Sequence, residues 1–366
     1  MNYQRRIEAM REKMSEAGFS VLAISSSTDM QYFIGFQCTA GTLFITPDDV
    51  ILLTDYRYVR HAKAECPFLH TIDQAKDTSP NALYHRLVDL YKNPVFGYDE
   101  KISLPQLHAY EQAAPGVEWK PFGALIARLR AVKDEDELKM IVEACKITEN
   151  AFSHILTFIR PGMTEVEVAI EIERHMKHHG ADQPGAFDII VASGLRSTYS
   201  HGRASKKRIE KDDVVLMDFG CKYNEYCSDF TRTIFMGKAT SEQKEVYELV
   251  RETQFTCIAA LREGVTNFEL ANLQKSMSVA GGYGQYCGNG AGHGIGLSIF
   301  EQPILVNTEN AADCAPLRSG NVVTIEPTIY LVPSNFGVRI EDMLVVTDTG
   351  SRNMYTVPTK LIELDY

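Results

Sequence analysis

Asp218 and Asp229 lie eleven residues apart in an otherwise apolar and β-branched stretch, DVVLMDFGCKYNEYCSDFTRT, from Asp213 to Thr233. The run VVLM before Asp218 and the run FTRTIF after Asp229 read as strands, with a polar turn centred on Tyr223-Asn224. A two-residue loop there sets the acids directly opposite one another on one sheet face. Like charges at that spacing repel unless one carboxyl keeps its proton or a cation sits between them. The hairpin calls for a metal ion or an acid pair.

An internal echo bears on that choice. RPGMTEVE (Arg160 to Glu167) returns as REGVTNFE (Arg262 to Glu269). In each copy a glycine closes a long helix and a Thr-x-x-Glu capping box opens the next, at Thr164/Glu167 and Thr266/Glu269. Each echo leads to a histidine-glycine pair, a β-branched strand ending in an acid, and a further acid on a returning strand. These are His201, Asp218 and Asp229 in the first half and His293, Glu326 and Glu341 in the second. Duplication about a pseudo-twofold axis brings the two acid hairpins face to face. Four carboxylates with nearby imidazoles match two divalent cations and a bridging water or hydroxide, the equipment of metal-assisted hydrolysis. Oxygen-rich ligation with one imidazole favours Mn, ahead of Co, Fe or Zn.

Other candidates have structural readings. Arg339 shares a strand face with Glu341, two residues on, and either braces a ligand carboxylate or makes an exposed salt bridge. The glycines around His293 in GHGIG let a histidine approach a site closely. His175 and His179 have helical i, i+4 spacing, but no acid completes an H-E-x-x-H arrangement, so a solvated helix face is expected. Asp55 and Arg57 at a strand end read as a structural salt bridge, and Cys221 and Cys227 as small strand or core residues.

The elements that must position these groups form two domains, the expectation for 366 residues. Ile7, Met10 and Met14 mark a first helix closed by Gly18. FSVLAIS follows as a strand, GTLFITPDDVILLTD as two more, Asn81 to Tyr91 as a helix and Val95 to Tyr98 as a strand. This is a small α/β domain, 1–124. The catalytic domain, 125–366, opens on an amphipathic helix from about Asp134 to Ile159. A formal net charge of -11 and pI near 5.5 argue against nucleic-acid and anionic-membrane partners. With no signal-like N-terminus and no apolar run approaching about 20 residues, a cytoplasmic protein is expected. The eight cysteines form no C-x-x-C pair and read as reduced thiols.

MDFG, SDFTRT, GHGIG, IEP and GVRIED, in this order, resemble the motifs of the pita-bread metallopeptidases, which include aminopeptidase P, prolidase, methionine aminopeptidase and creatinase. The resemblance spans essentially the whole chain and implies a mixed α/β (α+β) architecture: a creatinase-like N-terminal domain and a duplicated pita-bread domain. It implies metal ligation by Asp218, Asp229, His293, Glu326 and Glu341, with Asp229 and Glu341 bridging. Glu326 would also shuttle a proton, and His201 would face the substrate. It further implies a homodimer and Xaa-Pro aminopeptidase or dipeptidase action on short peptides. Creatinase-like members lack the metal set, whereas this chain keeps it. The departure is Phe300, where these peptidases usually carry a second histidine seven residues after the ligand histidine. One fewer donor to a developing oxyanion costs on the order of 10²- to 10³-fold in rate. EQPIL also lacks the arginine that prolidases tend to carry shortly after, and the family's EPG is Glu326-Pro327-Thr328 here, so the resemblance does not support recognition of a dipeptide's free carboxylate. The alternatives are a metal-dependent hydrolase or lyase of a small amide or similar metabolite, with Phe300 shaping an apolar pocket, and a non-catalytic binding protein.

Overall fold

The computed structural model describes residues 1–92, 94–99, 102–306 and 314–366, which fall into two compact units, Met1–Arg130 and Ala131–Tyr366. The first unit continues past the expected boundary at 124 because helix Gly123–Ala131 buries Ile126 and Arg130 within it, and the Arg130 guanidinium donates to Asp29 at 2.7 Å. Its sheet contains β1 (Val21–Ile24), β2 (Gly41–Ile45), β3 (Val50–Thr54), β4 (His70–Asp73), β5 (Val95–Tyr98) and β6 (Glu118–Pro121), in the order β4-β3-β2-β1-β5-β6. Only β2 runs against its neighbours. The first helix, Tyr3–Ala17, buries Ile7, Met10 and Met14 and ends on left-handed Gly18, φ 76°, as its spacing predicts.

The second unit repeats one arrangement. Helices α1 (Glu135–Phe158) and α2 (Glu165–His178) precede β7 (Ile190–Ser193), β8 (Val214–Phe219), the short pair β9 (Lys222–Tyr223) and β10 (Tyr226–Cys227), and β11 (Phe230–Phe235). Helices α3 (Ser241–Ala260) and α4 (Asn267–Ala280) precede β12 (Gly290–Gly294), β13 (Glu301–Val306), β14 (Val322–Ile325), β15 (Thr328–Leu331), β16 (Phe336–Arg339), β17 (Asp342–Val346) and β18 (Ser351–Asn353). In the first half β8 lies between β7 and β11; in the second β14 lies between β12 and β17, and all four pairings are antiparallel. Both capping boxes form, so orphan amides at the starts of α2 and α4 find acceptors in the same way. Gly162 and Gly264 do not cap the long helices, which stop at Phe158 and Ala260. They form left-handed turns, φ 91° and 84°, whose N–H groups donate to Ile209 and Leu317 at 2.7 and 2.9 Å.

The halves meet at a bridge between Thr231 and Glu341, where the Glu341 N–H donates to the Thr231 carbonyl at 3.1 Å. Apolar side chains back both sides of this seam. Val246, Tyr247 and Val250 of α3 pack with Val338 and Ile340, while Leu270 of α4 joins Val323, Ile325 and Leu344. Each such fully buried aliphatic side chain stabilises the fold by about 1.5–3 kcal/mol. A charge at Val323 or Leu344 would undo the packing that fixes β14 against β17. Among the described residues, no helix is long and apolar enough to cross a membrane.

Candidate active site

The β8 and β11 ladder places Asp218 opposite Thr231, not opposite Asp229. The turn is centred one residue later than expected, on Asn224-Glu225. Both residues take left-handed φ, 47° and 68°, as a tight two-residue hairpin turn requires. That shift moves the partner of Asp218 by two positions, which preserves side-chain parity, so Asp218 and Asp229 still face the same way as diagonal neighbours. In the second half Glu326 follows β14 directly and Glu341 precedes β17 directly. The repeat thus offers one acid at a strand end and one before its partner strand, twice.

All five expected ligands, Asp218, Asp229, His293, Glu326 and Glu341, line one cavity of about 340 Å³. Ligand atoms of Asp229, His293 and Glu341 lie within 4.8 Å of one another. His293 Nε2 stands 3.6 Å from both Asp229 Oδ2 and Glu326 Oε1. Its Nδ1 lies 3.1 Å from the Gly294 carbonyl, so the Nδ1–H tautomer leaves the Nε2 lone pair facing the acids. The neighbouring glycines permit this approach. A Cβ at Gly292, φ 151°, would meet the Thr324 carbonyl oxygen at 2.0 Å, and one at Gly294 would meet Gln302 O at 2.4 Å.

The cluster carries more negative charge than its own hydrogen bonds satisfy. Burial, then the nearby Glu341, Asp218 and Glu326 carboxylates, hold the Asp229 carboxyl well above its ordinary range. Burial, then Glu326 and Asp218, do the same to Glu341. Asp218 Oδ1, Asp229 Oδ1 and Glu341 Oε1 are buried without a hydrogen-bond partner among the described residues. Buried acceptors left open cost about 1–3 kcal/mol each, more when charged. Three such atoms beside the His293 Nε2 lone pair fit divalent cations, which would supply the missing positive partner.

Other side chains hold these acids in place. Arg339 is buried; it donates to Asp218 Oδ2 and to the Tyr330 hydroxyl, and to Ser200 O and Thr231 Oγ1 at 3.1 and 3.2 Å. This is the bracing geometry and not an exposed salt bridge. Thr231 Oγ1 donates to Glu341 Oε2 at 2.6 Å, and the buried Tyr355 hydroxyl donates to the Asp229 carbonyl at 2.7 Å. Glu326 is the most open of the clustered carboxylates, at 26% of its side chain against 6% for Asp229 and 11% for Asp218, while Glu341 is buried.

His201 and Phe300 also line the cavity. Phe300 is 60% exposed and its ring centroid is 4.2 Å from that of His293. Sequence reasoning missed Phe187, Asp188, Ile190, Arg203 and Ile299, which complete the wall with Ser200. Asp188 and Arg203 flank the recognisable strand and HG motif, but no periodicity marks them as lining. Cys221 and Cys227 are fully buried, and burial pushes the Cys227 thiol up to about 12, consistent with core packing. None of the eight cysteines is in a disulfide. Asp55 caps its helix and pairs with Arg57 at 2.6 Å, as expected. His179 is exposed, as that face predicts, and beside it sits half-buried His175. Its ring is stacked between those of His154 and His179, with centroids at 4.2 and 4.0 Å.

Residues 139–348 match the model of metallopeptidase family M24, and residues 6–132 match the creatinase/prolidase N-terminal domain. The chain is 37% identical to the uncharacterized peptidase YqhT of Bacillus subtilis, over 98% of this chain and all of that one. A solved Xaa-Pro dipeptidase from Bacillus anthracis superposes with a TM-score of 0.92 at 36% identity, covering 99% of this chain and 100% of its own. X-Pro aminopeptidase from Thermotoga maritima gives 0.88 at 33%, covering 98% and 99%. With its hydrolytic site built on a duplicated carboxylate cradle, the chain is a metallopeptidase of family M24 that carries a creatinase/prolidase N-terminal domain.

Proposed function

We propose that this enzyme is an Xaa-Pro peptidase, an aminopeptidase or dipeptidase, which cleaves the bond before proline with the help of two divalent ions, Mn first among them. The observation that carries the reading is the cluster of unpartnered, buried carboxylate oxygens beside His293, in a cavity that also has an apolar wall. Asp218, Asp229, His293, Glu326 and Glu341 would hold the ions. When bound, such ions polarise the scissile carbonyl and acidify a water molecule.

The protein's own groups do the rest. Glu326, the more open acid, takes a proton from the attacking water and returns it to the departing proline nitrogen. His201, exposed on the cavity wall, donates a hydrogen bond to the carbonyl oxygen as charge develops there. Phe187, Ile190, Ile299 and Phe300 give the five-membered proline ring an apolar surface and keep bulk water from the reacting bond. The enzyme works as a homodimer in the cytoplasm on this reading.

The test is a substrate panel on Mn-loaded protein: Xaa-Pro dipeptides, Xaa-Pro-Yaa peptides and small amides, with Asp229→Ala as control. Metal-dependent cleavage before proline, lost in the control, supports the proposal. Turnover of a small amide without prolyl cleavage moves the assignment to a small-metabolite hydrolase. Metal titration by calorimetry with a stoichiometry near two sites checks the dinuclear reading, and sedimentation checks the dimer.

A further inference from the structure

Five carboxylates line the catalytic cavity, Asp188, Asp218, Asp229, Glu326 and Glu341; two divalent ions would offset four of them, and Asp188 remains to repel a substrate that brings a carboxylate of its own. Apart from histidines, its lining offers two cations among the described residues, Arg339 and Arg203. Arg339 is already spent: it is 3% exposed and donates to Asp218, Tyr330, Ser200 and Thr231. Arg203 is in the opposite state. Its guanidinium is 76% exposed and meets only a 66% exposed carboxylate, Asp188, at 2.6 Å.

Its main chain is fixed while its head is held only by that exposed ion pair. The Arg203 N–H donates to His201 O at 2.8 Å, its carbonyl accepts from Arg196 Nη2 at 2.6 Å, and the residue bridges Ile190. The side chain therefore starts from a rigid point two residues from His201. An exposed ion pair such as Arg203–Asp188 is worth about 0–1 kcal/mol, so exchanging Asp188 for another carboxylate costs little. A guanidinium fork receives a carboxylate through two parallel hydrogen bonds, which a neutral amide cannot match. Distance favours a short substrate. A residue spans about 3.5 Å, so the terminal carboxylate of a dipeptide lies within one residue of its scissile carbonyl. A cavity of about 340 Å³ is also at the small end of ligand sites.

From this juxtaposition we propose that Arg203 is a specificity-determining residue that receives the free C-terminal carboxylate of a short peptide, making dipeptides preferred over amidated or longer chains. The assignment rests on the Xaa-Pro reading above and replaces, from a different part of the chain, the carboxylate receptor that EQPIL does not provide.

The experiment compares Ala-Pro with Ala-Pro-amide on metal-loaded full-length protein. Wild type is expected to show the lower KM for the free acid. Arg203→Ala should raise KM for Ala-Pro about tenfold or more, with kcat within about twofold and the amide unaffected, the loss expected for a charged hydrogen bond. Arg203→Lys should fall between them, because a point charge without the fork recovers only part of the contact. Arg203→Glu should reverse the preference. Equal KM values for acid and amide in wild type, or equal losses on both in Arg203→Ala, overturn the role of Arg203 while leaving prolyl cleavage intact. Cleavage of neither substrate by wild type overturns the Xaa-Pro reading and this assignment with it.

Discussion

The guanidinium of Arg339 donates from Nη2 to Oδ2 of Asp218, in a pair whose side chains are only 4% and 11% exposed. Asp218 Oδ1 has no hydrogen-bond partner among the described residues. One oxygen is thus held by the protein and the other is open, which on the metal reading proposed above orients the carboxylate before any ion arrives. Burial opposes the charge on Arg339, yet Tyr330, Asp218, Glu326 and Glu341 together keep it more firmly protonated than an ordinary arginine.

Arg339→Lys keeps the charge and loses the fork. It should weaken Mn binding by about 10- to 100-fold, the usual cost of disturbing a group that orients a ligand. Isothermal titration of metal into the apo protein measures it. An unchanged dissociation constant would show that Asp218 is aimed by its strand alone. Arg339→Met is the harsher variant: it strands a buried carboxylate, and a stability loss of about 3–5 kcal/mol is expected in urea titrations of metal-free protein.

Asp229→Asn tests the charge imbalance directly. In metal-free protein Asp229 is surrounded by Glu341, Asp218 and Glu326. Removing its charge should raise the melting temperature of the apo form by several degrees, on the scale of about 1 kcal/mol or more for a relieved repulsion. Adding Mn should raise the melting temperature of wild type strongly and that of the variant weakly, since stabilisation follows RT ln(1 + [L]/Kd). A lower apo melting temperature in the variant than in wild type would refute the repulsion argument.

How much of this was legible beforehand differs from residue to residue. That Asp218, Asp229, His293, Glu326 and Glu341 gather in one cavity was legible because duplication writes the same order twice, and strand ends are visible as β-branched runs. The pairing of Asp218 with Thr231 was not found, because register depends on where the turn takes left-handed φ. Asn224-Glu225 carries no glycine to announce that turn. Arg203 escaped notice for another reason: lining a cavity is a tertiary property, and its loop has no period to betray it. The His175 stack was missed because its third ring comes from His154 on a different helix.

That stack makes stability depend on pH. Burial, then the neighbouring His179 and His154, push the His175 imidazole down to about 4, against an ordinary value near 6.5. Asn150 Oδ1 accepts from its Nε2 at 2.6 Å, while His154 is paired with Glu171 at 2.6 Å and Arg174 also binds Glu171. A base with a depressed folded value binds fewer protons folded than unfolded between the two values. Stability therefore rises with pH across that window and falls as pH drops from about 6.5 toward 4. His175→Gln should flatten the melting-temperature profile between pH 4 and 6.5, measured with metal absent in both proteins. Parallel profiles would show that the stacked rings do not share a titration.

Phe300→His asks whether the site is tuned or merely lacks a donor. Phe300 is largely exposed, with its ring against His293, so the substitution leaves the packed interior alone. A second imidazole at this rim can donate to the same developing oxyanion that His201 is proposed to serve, and such donors are worth about 10²- to 10³-fold when well placed. An unoptimised one is expected to raise kcat for Ala-Pro by about tenfold, with KM rising because the proline ring loses an apolar contact of about 1 kcal/mol. His201→Ala in the same background should remove most of what remains. If Phe300→His leaves kcat unchanged while His201→Ala abolishes turnover, then a single imidazole suffices and Phe300 serves only to shape the pocket.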